Sequence, residues 1–296
     1  MNPLVRHRPH ICTGRKPALP AHARRLSPLA HDCHRRGDDM PDLIPGTPRW
    51  FDVTAPDIAA SAEFYTALFG WTARDLGLEA GHYTLLFQDD AQVAGIMSAE
   101  NPDGTAEPAI WLPYFTVADT WASVAAAVDA GAGVLMPPTD VFGRLEFAVL
   151  ADPDGAPYGV SRSITDPGTE RWGQVGNPMW IDYAAARTPS EAMAHYAKAL
   201  GWTYRNAGWE TATENPYQAL STPATGEFGG VRRAAPGEPA PRWSLVVRVA
   251  DADAVAARAV ELGGTIVTEP ADGPGPARTA VLADPAGAVF SIMFVG

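Results

Sequence analysis

Leu150-Ala151-Asp152-Pro153-Asp154-Gly155 is written a second time as Leu282-Ala283-Asp284-Pro285-Ala286-Gly287, 132 positions further along. The same offset links Trp111 to Trp243, Val117 to Val249, Asp119 to Asp251 and Gly131 to Gly263. Upstream, Tyr65, Gly70 and Trp71 match Tyr196, Gly201 and Trp202 at 131, and Trp50-Phe51-Asp52 matches Trp180-Ile181-Asp182 at 130. Small length changes in loops account for the drift. Roughly 120 residues are therefore duplicated, and the fold must be built from two equivalent halves.

Each half reads as the same order of elements twice over. Alternation over Trp50–Thr54 gives a strand, after which Asp57 can cap a helix that Gly70 stops. The copy states this start more fully. Thr188-Pro189-Ser190-Glu191 places Thr at the N-cap, Pro in the first turn and Glu three residues on, a capping box. Ala197 and Leu200 are expected on the face of that helix that covers a sheet. Strands follow near Tyr83–Gln88 and Gln92–Ser98. A second unit then opens with strand Ile110–Val117 and a helix capped by Asp119, and closes with three strands. The repeated Asp-Pro-x-Gly joins its last two strands, Pro fixing φ and Gly relieving strain after it. The fold class is α+β with four βαβββ units. Residues 47–164 form the first pair of units, 165–176 a linker and 177–296 the second pair.

Residues 1–46 stand apart. The first 39 hold eight Lys/Arg, five of the seven His and both Cys, without hydrophobic period. They are expected to be a disordered basic extension, and Met40 reads as an alternative translation start. Beyond them, 14 Lys/Arg face 31 Asp/Glu. Such an acidic body disfavours nucleic acid and anionic membranes as partners. No apolar run reaches the length of a membrane span, so a cytoplasmic protein is expected. The body has no Cys, two His (His82 and His195) and one Lys (Lys198), which leaves few metal or acid–base constellations open.

Three stretches resemble the vicinal oxygen chelate superfamily, which groups glyoxalase I, bleomycin-resistance proteins and extradiol dioxygenases. They are Phe64-Tyr65-Thr66-Ala67-Leu68-Phe69-Gly70-Trp71, Val117-Ala118-Asp119 and the repeated Leu-Ala-Asp-Pro turn, all with counterparts in the second half. The resemblance covers residues 47–296. It implies two tandem open barrels, each with a concave sheet that holds substrate and usually a divalent metal. It also places the ligand positions of that metal at Trp50, Leu112 and Gly159, with a fourth near Ala94–Ile96. In the second half these are Trp180, Ser244, Ser291 and Gly229–Val231. Divalent cations need imidazole or carboxylate donors, and these residues offer none. No metal or other cofactor is expected.

Strand alternation then sorts what lines the clefts. Trp50, Asp52, Thr54 and Tyr114 are expected in the first, with Gly159 and Ser161. Trp180, Asp182, Ser244, Arg248 and Ser291 are expected in the second. Trp50 and Trp180 read either as stacking walls or as plugs of a vestigial barrel. An inward carboxylate must be hydrated, paired or poised. Arg248 is the expected partner of Asp182, whereas Asp52 is the candidate general base, with His82 or Tyr114 as proton carrier. His195, standing where the first half has Phe64, reads as structural. The leading expectation is a monomeric protein that binds a small apolar or aromatic molecule. Alternatives are a metal-independent lyase, isomerase or hydroxylase-like enzyme using Asp52, a metal-dependent glyoxalase or dioxygenase, and a protein-interaction scaffold with filled clefts.

Overall fold

The computed structural model describes residues 44–100, 105, 107–238, 240–273 and 276–296. Residues 1–43, Met40 among them, lie outside these, whereas Gly46, set within the extension by the sequence, donates to Thr116 O at 2.7 Å and belongs to the fold.

The first half runs β1 (Pro48–Ala55), α1 (Ile58–Phe69), β2 (Thr72–Asp75), β3 (Thr84–Gln88) and β4 (Ala91–Ser98). It continues with β5 (Trp111–Thr116), α2 (Thr120–Asp129), β6 (Gly133–Val141), β7 (Leu145–Ala151) and β8 (Pro157–Ser163). The second half repeats this as β9 (Pro178–Ala185), α3 (Pro189–Leu200), β10 (Thr203–Asn206), β11 (Gln218–Ser221) and β12 (Gly229–Arg233). It closes with β13 (Arg242–Arg248), α4 (Ala252–Glu261), β14 (Thr265–Asp272), β15 (Ala277–Ala283) and β16 (Val289–Val295). Each half forms an eight-stranded sheet, ordered β2-β3-β4-β1-β5-β8-β7-β6 and β10-β11-β12-β9-β13-β16-β15-β14. Both sheets are mixed and open; neither closes into a barrel among the described residues. None of the described helices is long and apolar enough to cross a membrane.

Local chemistry sets the helix ends. Asp57, Asp119 and Asp251 each accept the backbone N–H three residues on, satisfying a donor the helix leaves free. The Thr188–Glu191 capping box forms. The buried face of α3 carries Ala192, Met193, His195 and Tyr196. Leu200 packs against the core as expected, partly buried, whereas Ala197 is only half-buried and takes no part in that cluster.

The core lies between the two sheets and is shared. Phe51, Val53, Phe115, Ile181, Tyr183 and Leu245 all belong to one buried cluster, as period-two alternation requires. Phe115 meets Trp202 and Trp243 with centroids 4.8 and 5.7 Å away. Polar groups cross this seam in pairs. Trp71 Nε1 donates to Gly176 O at 2.7 Å, and Trp202 Nε1 donates to Gly46 O at 2.7 Å. The repeated turn supplies the other pair. Asp152 Oδ1 accepts from the backbone of Asp154 and Ala156, while Oδ2 accepts from Tyr183 (2.5 Å) and Tyr196 (3.0 Å) of the second half. Asp284 likewise holds its own turn and accepts from Tyr65 of the first half at 3.0 Å. His195 is also part of the seam, with Nε2 2.8 Å from Tyr158 Oη and Nδ1 3.1 Å from Ala130 O. Burial pushes its pKa down, which favours the neutral ring.

Candidate functional site

Each sheet has a concave face turned away from the core, and each holds the same triad. In the first, Trp50 Nε1 donates to Asp52 Oδ1 and to Tyr83 Oη, both at 2.8 Å, while Tyr83 Oη donates to Asp52 Oδ1 at 2.5 Å. In the second, Trp180 Nε1 donates to Tyr217 Oη at 2.8 Å, and Tyr217 Oη donates to Asp182 Oδ1 at 2.5 Å. The strand behind each triad carries glycine where a side chain cannot fit. A Cβ at Gly95 would overlap the Tyr83 hydroxyl and the Asp52 carboxylate, and one at Gly230 would overlap the Tyr217 hydroxyl.

The first cleft is a cavity of about 290 Å³. Its walls are Trp50, Tyr83, Leu85, Met97, Tyr114 and Phe147, with Tyr114 and Phe147 packed edge to face at 5.8 Å. The Tyr114 ring lies over Gly159, where a Cβ would overlap it. At the rim, Arg144 pairs with Asp166 at 3.1 Å, and Arg49 donates to the Asp166 carbonyl. Leu76 and Phe142 also line the opening, Phe142 being 80% exposed. Burial raises the Asp52 pKa, opposed by hydrogen bonds from Tyr83, Trp50 and Tyr114. Tyr83 and Tyr114 are raised well above the usual phenol value, by burial and then by the nearby Asp52. Both are hydrogen-bonded to Asp52.

The second cleft is smaller, about 170 Å³, and more polar. Asp182, Ser244 and Ser291 line it, together with Arg232 and Arg242. Burial again raises the carboxyl of Asp182, opposed by Tyr217, Arg232, Trp180 and Arg242.

Of the residues expected from sequence, Trp50, Asp52 and Tyr114 meet in the first cleft, and Asp182, Ser244 and Ser291 in the second. Trp180 joins the second triad through Tyr217. Three expectations are corrected. Thr54 does not line the first cavity; its Oγ1 donates to Pro108 O at 3.0 Å and accepts from Ile110 N at 2.9 Å, because the connector to β5 crosses the end of β1. His82 stands in a turn before β3 at φ 59°, exposed, with Nδ1 2.9 Å from Asp75 Oδ2, and does not line the cavity. Arg248 does not pair with Asp182. In register Asp182 faces Ser244, and Arg248 lies four residues further along β13, roughly 13 Å away at the strand rise. There it donates to Gly173 O at 3.0 Å, anchoring the linker. The cations near Asp182 are Arg232 and Arg242 instead. Sequence reasoning missed these two, and Tyr83 and Tyr217. Tyr83-Thr84-Leu85-Leu86 recurs as Tyr217-Gln218-Ala219-Leu220 at an offset of 134, the signal that would have found both tyrosines.

The positions at which a superfamily metal would be held do not fit one. Trp50 donates through an indole, Leu112 is a buried hydrocarbon facing Asp52 in register, and Gly95 and Gly159 are covered by tyrosines. Among the described residues no group of three or more His, Cys, Asp and Glu comes close enough to share an ion.

Comparison with known proteins fixes the family. Residues 48–158 match the glyoxalase/bleomycin resistance protein/dioxygenase superfamily, and residues 179–293 match the glyoxalase-like domain family. The chain belongs to this superfamily. It is 38% identical over 268 residues to the anthracycline biosynthesis protein DnrV of Streptomyces peucetius, covering 86% of this chain and 95% of that one. Its fold matches the Mn(II)-bound glyoxalase of Novosphingobium aromaticivorans with a TM-score of 0.59, at 14% identity, over 84% of this chain and 82% of that one. The 2,2',3-trihydroxybiphenyl 1,2-dioxygenase of Sphingomonas wittichii matches with a TM-score of 0.58, at 13% identity, over 86% and 91%. At such identities the last two show the shared fold alone.

Proposed function

We propose that the first cleft of this glyoxalase-superfamily protein binds a flat aromatic small molecule, and does so without a divalent ion. One observation carries the reading: a cavity walled by Trp50, Tyr83, Tyr114 and Phe147 surrounds a buried carboxyl, Asp52, that already accepts two hydrogen bonds. Aromatic walls offer stacking or edge contacts of about 0.5–1.5 kcal/mol each beyond burial. A few polar groups set against such walls are the usual make-up of a ligand pocket. Leu76 and Phe142 leave apolar surface at the rim for a ligand to cover. The relative named for anthracycline biosynthesis supports the ligand class, since anthracyclines are built on planar fused rings. Independence from metal is supported by the donors at the expected positions, which are indole, hydrocarbon and covered glycine.

Titration of the full chain with quinizarin, a dihydroxyanthraquinone, followed by tryptophan fluorescence, tests both parts. Saturable binding is expected, with Tyr114→Ala weakening it about tenfold, or about 1.4 kcal/mol, and a chelator leaving it unchanged. Lack of saturation would reject the aromatic ligand, and loss of binding on chelation would reject metal independence.

A second reading, a metal-independent lyase, isomerase or hydroxylase-like enzyme, is favoured by the raised Asp52 pKa. A carboxyl whose pKa is raised by burial beside a bound ligand is suited to exchange a proton with it. In that case Asp52→Asn abolishes turnover and preserves quinizarin affinity; a variant that turns over like the parent rejects it.

A further inference from the structure

The two clefts share one triad, yet the residues around it differ in kind. Carrying Gly95 onto Gly230 along β4 and β12 places Arg232 where the first cleft has Met97. Carrying β5 onto β13 places Arg242 at Ile110 and Ser244 at Leu112. Three apolar positions of one half are thus a polar cluster in the other.

In that cluster two guanidinium groups share one hydrogen-bonded carboxylate. Arg232 grips both carboxylate oxygens of Glu238, at 2.6 and 2.5 Å, and Arg242 Nη2 donates to the same Oε1 at 2.7 Å. One carboxylate therefore serves two guanidinium groups, neither of which can shed its charge. Asp182 lines the same cavity but makes its hydrogen bond with Tyr217 and none with either guanidinium group. The pairing is also incomplete. Arg242 Nε and Nη1 are buried and find no hydrogen-bond partner among the described residues. Buried donors left unpaired cost about 1–3 kcal/mol each, which favours an acceptor supplied from outside the chain. On the wall of the same 170 Å³ cavity Ser244 Oγ and Ser291 Oγ share a long hydrogen bond of 3.4 Å, which an incoming oxygen can displace to accept from them.

We propose that the second cleft is an anion site that takes a small organic carboxylate, with Arg242 as its anchor and Ser244 and Ser291 as further donors. The planar fork of a guanidinium matches a carboxylate in two parallel hydrogen bonds. The cavity admits a one-ring or short aliphatic acid and excludes the fused rings suited to the first cleft. The arginine pair also walls a larger groove of about 960 Å³ between the halves, which includes Trp111 and Trp243. Ser244 and Ser291 line the cavity and not the groove, so a change at Ser244 tells the two locations apart.

Calorimetric titration of the full chain with benzoate, with its neutral counterpart benzamide and with inorganic phosphate tests the site. One benzoate per chain is expected, with benzamide and phosphate at least tenfold weaker. Arg242→Met should weaken benzoate at least tenfold. Ser244→Leu, which installs the first half's residue and fills the cavity, should abolish binding, whereas Tyr114→Ala in the other cleft should leave it unchanged. Absence of benzoate binding, benzamide binding as well as benzoate, or phosphate binding more tightly than benzoate overturns the proposal. So does a Ser244→Leu protein that binds like the parent, since the anion would then sit in the groove. If circular dichroism shows that Arg242→Met does not fold, the benzamide and Ser244→Leu comparisons decide.

Discussion

Replacing Asp152 by Ala should cost markedly more stability than the equivalent replacement of Asp284, although the two stand in the same repeated turn. Asp152→Ala orphans the hydroxyls of Tyr183 and Tyr196 and the backbone N–H groups of Asp154 and Ala156. Three of those four donors are buried, Asp154 N being partly exposed. Taking about 1–2 kcal/mol, the lower part of the range of about 1–3 kcal/mol for a buried donor left without an acceptor, the loss is about 3–6 kcal/mol. That is a large part of the 5–15 kcal/mol, roughly, that holds a domain folded. Asp284→Ala orphans Tyr65 Oη and the N–H groups of Ala286 and Ala288, of which two are buried, for about 2–4 kcal/mol. The asymmetry of about 1–2 kcal/mol arises because Tyr183 in the second half corresponds to Val53 in the first, which has no hydroxyl to offer. Urea unfolding at neutral pH, followed by tryptophan fluorescence and circular dichroism, measures both variants. Tyr183→Phe should lower the cost of a subsequent Asp152→Ala by the missing hydrogen bond. Equal costs for the two alanine variants, or a larger cost at Asp284, would refute the idea that these tyrosines bind the halves together.

Two further outcomes are expected. Burial holds the Asp52 carboxyl above its ordinary value, so its contribution to stability is full below about pH 4 and is lost as pH rises through the raised value. Thermal melts of the parent and Asp52→Asn from pH 4 to 8 should therefore show the parent losing ground to the variant; parallel curves would contradict this. Gly95→Ala pushes a methyl group into Tyr83 and Asp52, and should destabilise by about 1–3 kcal/mol while abolishing quinizarin binding. A silent Gly95→Ala would mean that the triad is not packed as described.

The features legible in the sequence are those set by near neighbours. Asp57, Asp119 and Thr188 announce their helices because a cap bonds within three residues. Trp50 and Asp52 are placed inward by period two alone. What stayed hidden depends on distance through the fold. Asp284 meets Tyr65 across 219 residues, and no local pattern marks such a pair. Tyr83 and Tyr217 escaped because the loops before them differ in length, shifting their offset from the one that ties Trp50 to Trp180. Arg248 and Asp182 stand on facing strands but four residues apart in register, a separation that alternation does not reveal, whereas Arg232 and Arg242 occupy positions that are apolar in the first half. His82 lies in a turn at positive φ rather than at the head of a strand, and alternation says nothing about where a turn aims its side chain.

The mutual grip of the halves has a consequence for how the molecule can change. Trp71 and Trp202 each rest on the main-chain oxygen of the glycine that leads into the opposite copy, and the tyrosines beneath them are tied to the opposite copy's turn. Separating the duplicates would strand these donors in both, so the chain is committed to travelling as a pair. Innovation is thereby steered away from the joint and into the hollows, where Met97 in one corresponds to Arg232 in the other. A doubled chain of this kind can evolve two different appetites while its spine stays fixed.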